Sequence, residues 1–127
     1  MKKKVSILIV EDNDLDKLVL KVLLEKYFNL YFVSNGQDAL LAVNEFDFNI
    51  VLLDINLGDS SMNGLHVISK IRENSKNDNL KIFAVTAYTD NKEELMELGF
   101  KDVLIKPVIK DEILEILNAN TMLVNNR

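Results

Sequence analysis

Val5-Ser6-Ile7-Leu8-Ile9-Val10-Glu11-Asp12 is a short apolar run that stops abruptly in two carboxylates, and the same device returns at Ile50-Val51-Leu52-Leu53-Asp54. Runs of this length, without polar alternation, are how strands read when helices cover both faces of a parallel sheet. Leu30–Val33, Ile82–Val85 and Val103–Ile105 repeat the pattern, and amphipathic stretches separate all five runs. After the first run, Leu15, Leu18, Val19, Val22 and Leu23 recur at helical spacing, with Asp16, Lys17, Lys21 and Glu25 opposite and Asn13 or Asp14 as N-cap. Asp38–Asn44 (Ala39, Leu40, Val43), Gly64–Asn74 (Leu65, Ile68, Ile71), Asn91–Leu98 (Leu95, Leu98) and Lys110–Leu117 (Ile113, Ile116, Leu117) predict four further helices. Ile55–Asn63, rich in Gly, Asp, Ser and Asn, reads as a loop. The expectation is α/β: a (βα)5 doubly wound, five-stranded parallel sheet of flavodoxin-like order 2-1-3-4-5.

Composition narrows the function. The chain has 127 residues, a length for one domain, with 48% apolar and 28% charged residues. A net charge of -5, with basic residues scattered rather than clustered, argues against direct nucleic-acid binding. The absence of cysteine removes disulfides, thiolate nucleophiles and Cys-based metal sites, and a single histidine, His66, makes a His-rich metal site or a Ser-His-Asp triad improbable. His66 itself reads as a surface residue of the third helix. Lys2, Lys3 and Lys4 before the first apolar run imitate a signal peptide, but that run is too short and ends in carboxylates. No stretch approaches the ~20 apolar residues of a membrane helix. A cytoplasmic location is expected, with no membrane partner.

In a doubly wound sheet, ligands sit outside the carboxyl ends of the strands beside the topological switch point. Those ends carry Glu11 and Asp12 on the first strand, Asp54 on the third, Thr86 on the fourth and Lys106-Pro107 on the fifth. The first and third strands would lie ~4.8 Å apart, so their carboxylates must converge. Two like charges ~4 Å apart repel by roughly 4 kcal/mol at an effective dielectric near 20, and one lysine does not balance three of them. A hard divalent cation does: Mg2+ accepts one or two carboxylates and leaves room for a phosphoryl oxygen. Asp54 would then act as nucleophile toward phosphorus, while Lys106 and Thr86 hold the phosphoryl oxygens.

With Glu11-Asp12, Asp54, Thr86-Ala87 and Lys106-Pro107 in order at the strand ends, the chain resembles the receiver domain of two-component response regulators, from about Lys4 to about Asn118. The resemblance implies a single receiver domain over residues 1–127, with a core of about 4–118 and a short tail, 119–127. It implies that Asp54 takes a phosphoryl group from a sensor histidine kinase or a histidine phosphotransfer protein. Asp12, Asp54 and the carbonyl of Asn56 would bind Mg2+, with Glu11 acting through water, and the Lys106-Pro107 peptide would be cis. Four departures stand out: Gly58 where the family often has proline, a longer loop before Gly64, a shorter interval from Thr86 to Gly99, and Val103 where it commonly carries Tyr or Phe. The last bears on the usual aromatic switch.

The expected output is contact with a downstream protein target, since Asn118–Arg127 is too short for an effector domain. A homodimer through the fourth and fifth helices stays open. The expected role is not that of an enzyme beyond self-catalysed phosphoryl acceptance and loss. Alternatives are a receiver-like interaction module that is never phosphorylated, a small Mg-dependent phosphohydrolase of the haloacid dehalogenase type, and a flavodoxin-like cofactor binder. The acidic pair after the first strand would repel a flavin phosphate, which weakens the last. Phe46, Phe48, Phe83 and Phe100 read as core or core edge. Tyr88 is placed at the mouth of the site, where its ring could slow hydrolysis of an acyl phosphate.

Overall fold

The computed structural model describes residues 4–58, 62–87 and 91–121. Strand and helix alternate: β1 (Ser6–Val10), α1 (Asp14–Leu24), β2 (Asn29–Val33), α2 (Gly36–Glu45), β3 (Ile50–Asp54), α3 (Gly64–Arg72), β4 (Lys81–Thr86), α4 (Lys92–Glu97), β5 (Asp102–Ile105) and α5 (Lys110–Ala119). The strands form one parallel sheet in the order β2-β1-β3-β4-β5. Successive side chains of a strand leave on opposite faces, and each short run therefore feeds two cores. Ile7 and Ile9, Ile50 and Leu52, Phe83 and Val85, and Leu104 pack with Leu20 and Leu24 of α1 and Ile113 and Leu117 of α5. Leu8 and Val10, Val51 and Leu53, Ile82 and Ala84, and Val103 pack with α2, α3 and Leu95 of α4. Full burial of each Leu, Ile or Val contributes about 1.5–3 kcal/mol, which is why polar residues such as Ser6, Asn29, Lys81 and Asp102 are kept to the strand ends.

Asparagine starts three of the helices. The Asn13, Asn35 and Asn63 side chains accept backbone N–H groups of α1, α2 and α3 respectively, satisfying donors that a helix start leaves free. A 3-10 turn at Ser75–Asn77, not foreseen from the sequence, closes the end of α3; the Asn77 amide donates to the Ile71 carbonyl at 3.2 Å.

The inward face of α1 corrects the sequence reading. Leu20 and Leu24 are buried and Leu23 of the expected stripe is partly buried against the core, whereas Leu15, Leu18 and Val22 lie exposed and Val19 flanks the sheet end at 38% exposure. Two apolar stripes compete on this helix, and the sheet takes the narrower one because the positions four and eight before Leu24, Leu20 and Asp16, share its line. Asp16, read as part of the solvent face, thereby turns toward the sheet end. Two smaller differences stand beside it. Val67 is buried on α3 where Leu65 is exposed, and Leu98 is exposed past the end of α4. Phe83 and Phe100 are core residues, Phe48 sits at its edge, and Phe46 is exposed, its ring 5.6 Å from Tyr31 on the edge strand β2.

Candidate functional site

The strand ends converge as the topology requires. Val10 pairs with Leu53, Asp54 with Val85, and Thr86 with Ile105, so Glu11, Asp54, Thr86 and Lys106 emerge along one rim. Backbone bonds carry the ladder past the strand ends: Ile55 N–H donates to the Val85 carbonyl at 3.1 Å, and Lys106 N–H to the Thr86 carbonyl at 2.8 Å. Asp54 keeps the parity of Ile50 and Leu52, and Lys106 that of Leu104, so both point to the α1/α5 side. The Lys106-Pro107 peptide is cis.

Lys106 is the centre of charge. Its Nζ lies 3.0 Å from Asp54 Oδ2, 2.9 Å from Asp16 Oδ2 and 3.2 Å from Glu11 Oε1. Burial alone would lower the ammonium's pKa; hydrogen bonds to Asp16 and Asp54 and the charges of Asp54 and Glu11 outweigh it and raise the pKa, so Lys106 stays protonated. Glu11 goes the other way. Burial above all, then a hydrogen bond to Asp54 and that group's charge, push its carboxyl up to about 7 against the pull of the Asn13 N–H and Lys106. Glu11 therefore keeps its proton to near neutrality.

Asp12, the neighbour of Glu11, is exposed and differently held. Its Oδ2 accepts the Gly58 N–H at 2.6 Å, a bond that a proline at this position could not make. A Cβ on residue 58 would stand 2.5 Å from the same oxygen, so a larger residue here would push the exposed Asp12 carboxylate aside. Asn56 N–H donates to Asp54 Oδ1 at 2.9 Å, fixing the carboxylate's second oxygen. Gly64 sets the floor: a Cβ there would fall 2.6 Å from the Asp54 carbonyl oxygen, so only glycine lets α3 start this close to the end of β3.

The residues fit a divalent cation. One carboxylate oxygen from each of Glu11, Asp12 and Asp54 lies within 4.8 Å of the others. Glu11 Oε1 is buried and, though in ion-pair range of Lys106, makes no hydrogen bond, which leaves an acceptor to be satisfied. An all-oxygen, anionic donor set of this kind suits Mg2+.

The family profile described as response regulator receiver domain matches residues 7–118. The chain belongs to the response regulator receiver domains of two-component systems. It is 34% identical over 109 residues, 85% of its length, to the transcriptional regulatory protein SrrA of Staphylococcus aureus (strain NCTC 8325 / PS 47), of which those residues cover 44%. The chain therefore spans about half the length of the curated relatives it matches. Among solved structures, a CheY-like receiver domain from Methylobacillus flagellatus superposes with a TM-score of 0.82 at 30% identity, over 93% of this chain and 99% of that one. The receiver domain of the sensor histidine kinase PA1611 from Pseudomonas aeruginosa PAO1, solved with a magnesium ion in its active-site cleft, gives 0.82 at 25% identity, over 92% of this chain and 97% of that one.

Within this receiver, Glu11, Asp12, Asp54 and Lys106 come together as the sequence indicated, and Thr86 is buried at the adjoining strand end. Asn56 reaches Asp54 through its backbone N–H. His66 is exposed on α3. Tyr88 lies outside the described residues. Val103, at the position of the usual aromatic, is buried in the core with Leu95 and Phe100. Asp16 is the site residue that sequence reasoning missed. Its signal was the spacing to Leu20 and Leu24, a stripe in which it is the only charged member.

Proposed function

We propose that this receiver is a phosphorylation-controlled signalling domain whose acceptor is Asp54. The observation that carries the reading is the 3.0 Å contact between the Asp54 carboxylate and the Lys106 ammonium at the mouth of three converging carboxylates. Asp12, Asp54 and the Asn56 carbonyl would hold Mg2+, with Glu11 acting through water. The ion supplies charge neutralisation for an incoming phosphoryl group, as the PA1611 receiver's magnesium site suggests. An Asp54 oxygen attacks the phosphorus of a phosphohistidine; the P–N bond breaks as the P–O bond forms, and the imidazole leaves with a proton from solvent. Lys106 and the Thr86 hydroxyl take up the phosphoryl oxygens.

The donor would be a sensor histidine kinase or a histidine phosphotransfer protein. The exposed stripe of Leu15, Leu18, Val19 and Val22 on α1, beside the site, offers such a partner an apolar seat. The net charge of -5 favours a protein rather than nucleic acid as the downstream contact. We place the domain in the cytoplasm, as residues 1–127 with a core of 4–118; among the described residues no helix is long and apolar enough to cross a membrane.

One observation favours a second reading, an interaction module that phosphorylation does not switch: Val103 is already packed in the core and has no ring to swing. Intact-mass spectrometry after incubation with a small acyl phosphate separates the two. A single Mg2+-dependent phosphoryl adduct, absent in Asp54→Ala, supports the acceptor; no adduct on a folded, Mg2+-supplied wild type leaves the second reading standing.

A further inference from the structure

Lys106 donates to two carboxylates, Asp54 and Asp16, and stands in ion-pair range of a third, Glu11, without a hydrogen bond to it. A phosphoryl group on Asp54 carries its negative charge on its own oxygens and leaves the Asp54 side chain an uncharged acyl group, so Asp54 gives up its own claim on Lys106 as the new bond forms. The two carboxylates that remain are not equally able to yield. The Glu11 side chain is 1% exposed, and an unpaired charge there would stay unsolvated. Asp16 is 37% exposed, and water can take over its carboxylate as it leaves. It also stands beside a cavity of about 70 Å3 walled by Val19, Leu20, Val85, Pro107 and Val108.

Asp16 is nonetheless placed on purpose by the fold. It lies on the inward stripe of α1, one turn before Leu20, and its backbone N–H is tied to the Asn13 cap at 2.9 Å. The helix is anchored through Leu20 and Leu24, so the carboxylate is delivered to Lys106 rather than reaching it by chance.

We propose that Asp16 is a positioning residue that holds Lys106 in the unphosphorylated protein and is the partner displaced when the phosphoryl group arrives. It competes with the phosphoryl oxygens for one donor, and its negative charge weakens the field that draws them in. The inference rests on the reading of Asp54 as acceptor.

The test compares wild type, Asp16→Asn and Asp16→Glu with a small acyl phosphate at saturating Mg2+, timing the adduct by intact mass. Asp16→Asn, which keeps the shape and removes the charge, is expected to gain adduct about two- to fivefold faster, the size of one part-exposed ion pair. Asp16→Glu retains a competing charge and is expected to stay near the wild-type rate. A merely structural role would slow both variants or neither. A second measurement uses the metal-free, unphosphorylated protein: denaturant unfolding of Asp16→Asn, Lys106→Gln and the double variant, expected to be non-additive because the two side chains form one pair. An unchanged or slower rate in Asp16→Asn, an Asp16→Glu rate equal to that of Asp16→Asn, or an additive cycle would overturn the inference while a wild-type adduct keeps Asp54 as acceptor. No adduct on the wild type would overturn both.

Discussion

The two ends of the sheet solve opposite problems. At the C-terminal end, Glu11, Asp16 and Asp54 crowd one ammonium, and the cavity beside them is only about 70 Å3. At the other end, a cavity of about 700 Å3 opens among Val43, Phe46, Phe48, Lys76, Lys81 and Asn120, and there Lys76 and Lys81 donate to the backbone carbonyls of Asn44 and Asn120. The larger hollow lies where loops meet the strand starts. The smaller one is where the chain spends stability on placing charges that repel. Convergent chemistry, not volume, marks the site.

That contrast can be broken most forcefully at Lys106. Lys106→Met leaves Glu11 and Asp54 buried without their cation, and is expected to cost about 2–3 kcal/mol in metal-free denaturant unfolding at pH 8. A neutral outcome would mean that the carboxylates are solvated and the rim is not under electrostatic load.

The pH dependence comes next. With its folded pKa raised from 4.5 to about 7, Glu11 binds its proton more tightly in the folded protein. That contribution is full below the unfolded value and is lost as pH rises through the folded one. Metal-free stability is therefore expected to fall by about 2–3 kcal/mol between pH 5 and pH 8. Mg2+ should recover part of it at pH 8, where the carboxylates are charged. Glu11→Gln should flatten the profile; a wild-type profile that is flat already would contradict the buried carboxyl.

The opposite end should behave as plain packing. Phe48→Ala truncates an edge residue that contacts the Tyr31 ring, at 5.8 Å between centroids, and is expected to cost about 1–2 kcal/mol, below the ~3–5 of a fully buried phenylalanine. Its rate of phosphoryl uptake should equal that of the wild type. A changed rate would show that the two ends are coupled through the sheet.

What the sequence disclosed follows from the same physics. A strand buried on both faces must be apolar throughout, so the first charged residue after Val10, Leu53 and Ile105 announces the end of the strand and the site together. Glu11, Asp54 and Lys106 were legible for that reason, and strand order followed from the switch-point rule. Helices carry a weaker message. On α1 two apolar stripes share one stretch, and periodicity cannot say which the sheet will cover. The broader stripe, Leu15 to Val22, stayed outside, and with it went the reading of Asp16 as a solvent residue. The Asp12–Gly58 bond was hidden likewise, since a loop's approach to a strand end across 46 positions leaves no periodic trace.

The account stands on Asp54 as the atom donor for the new P–O bond, and borohydride trapping tests it directly. Reduction of an aspartyl phosphate leaves homoserine, which peptide mass mapping can place in the chain. After incubation with a small acyl phosphate and Mg2+, homoserine is predicted at position 54 alone and only when Mg2+ is present. Trapping at Asp12 or Glu11, or none on a protein that remains folded, would contradict it.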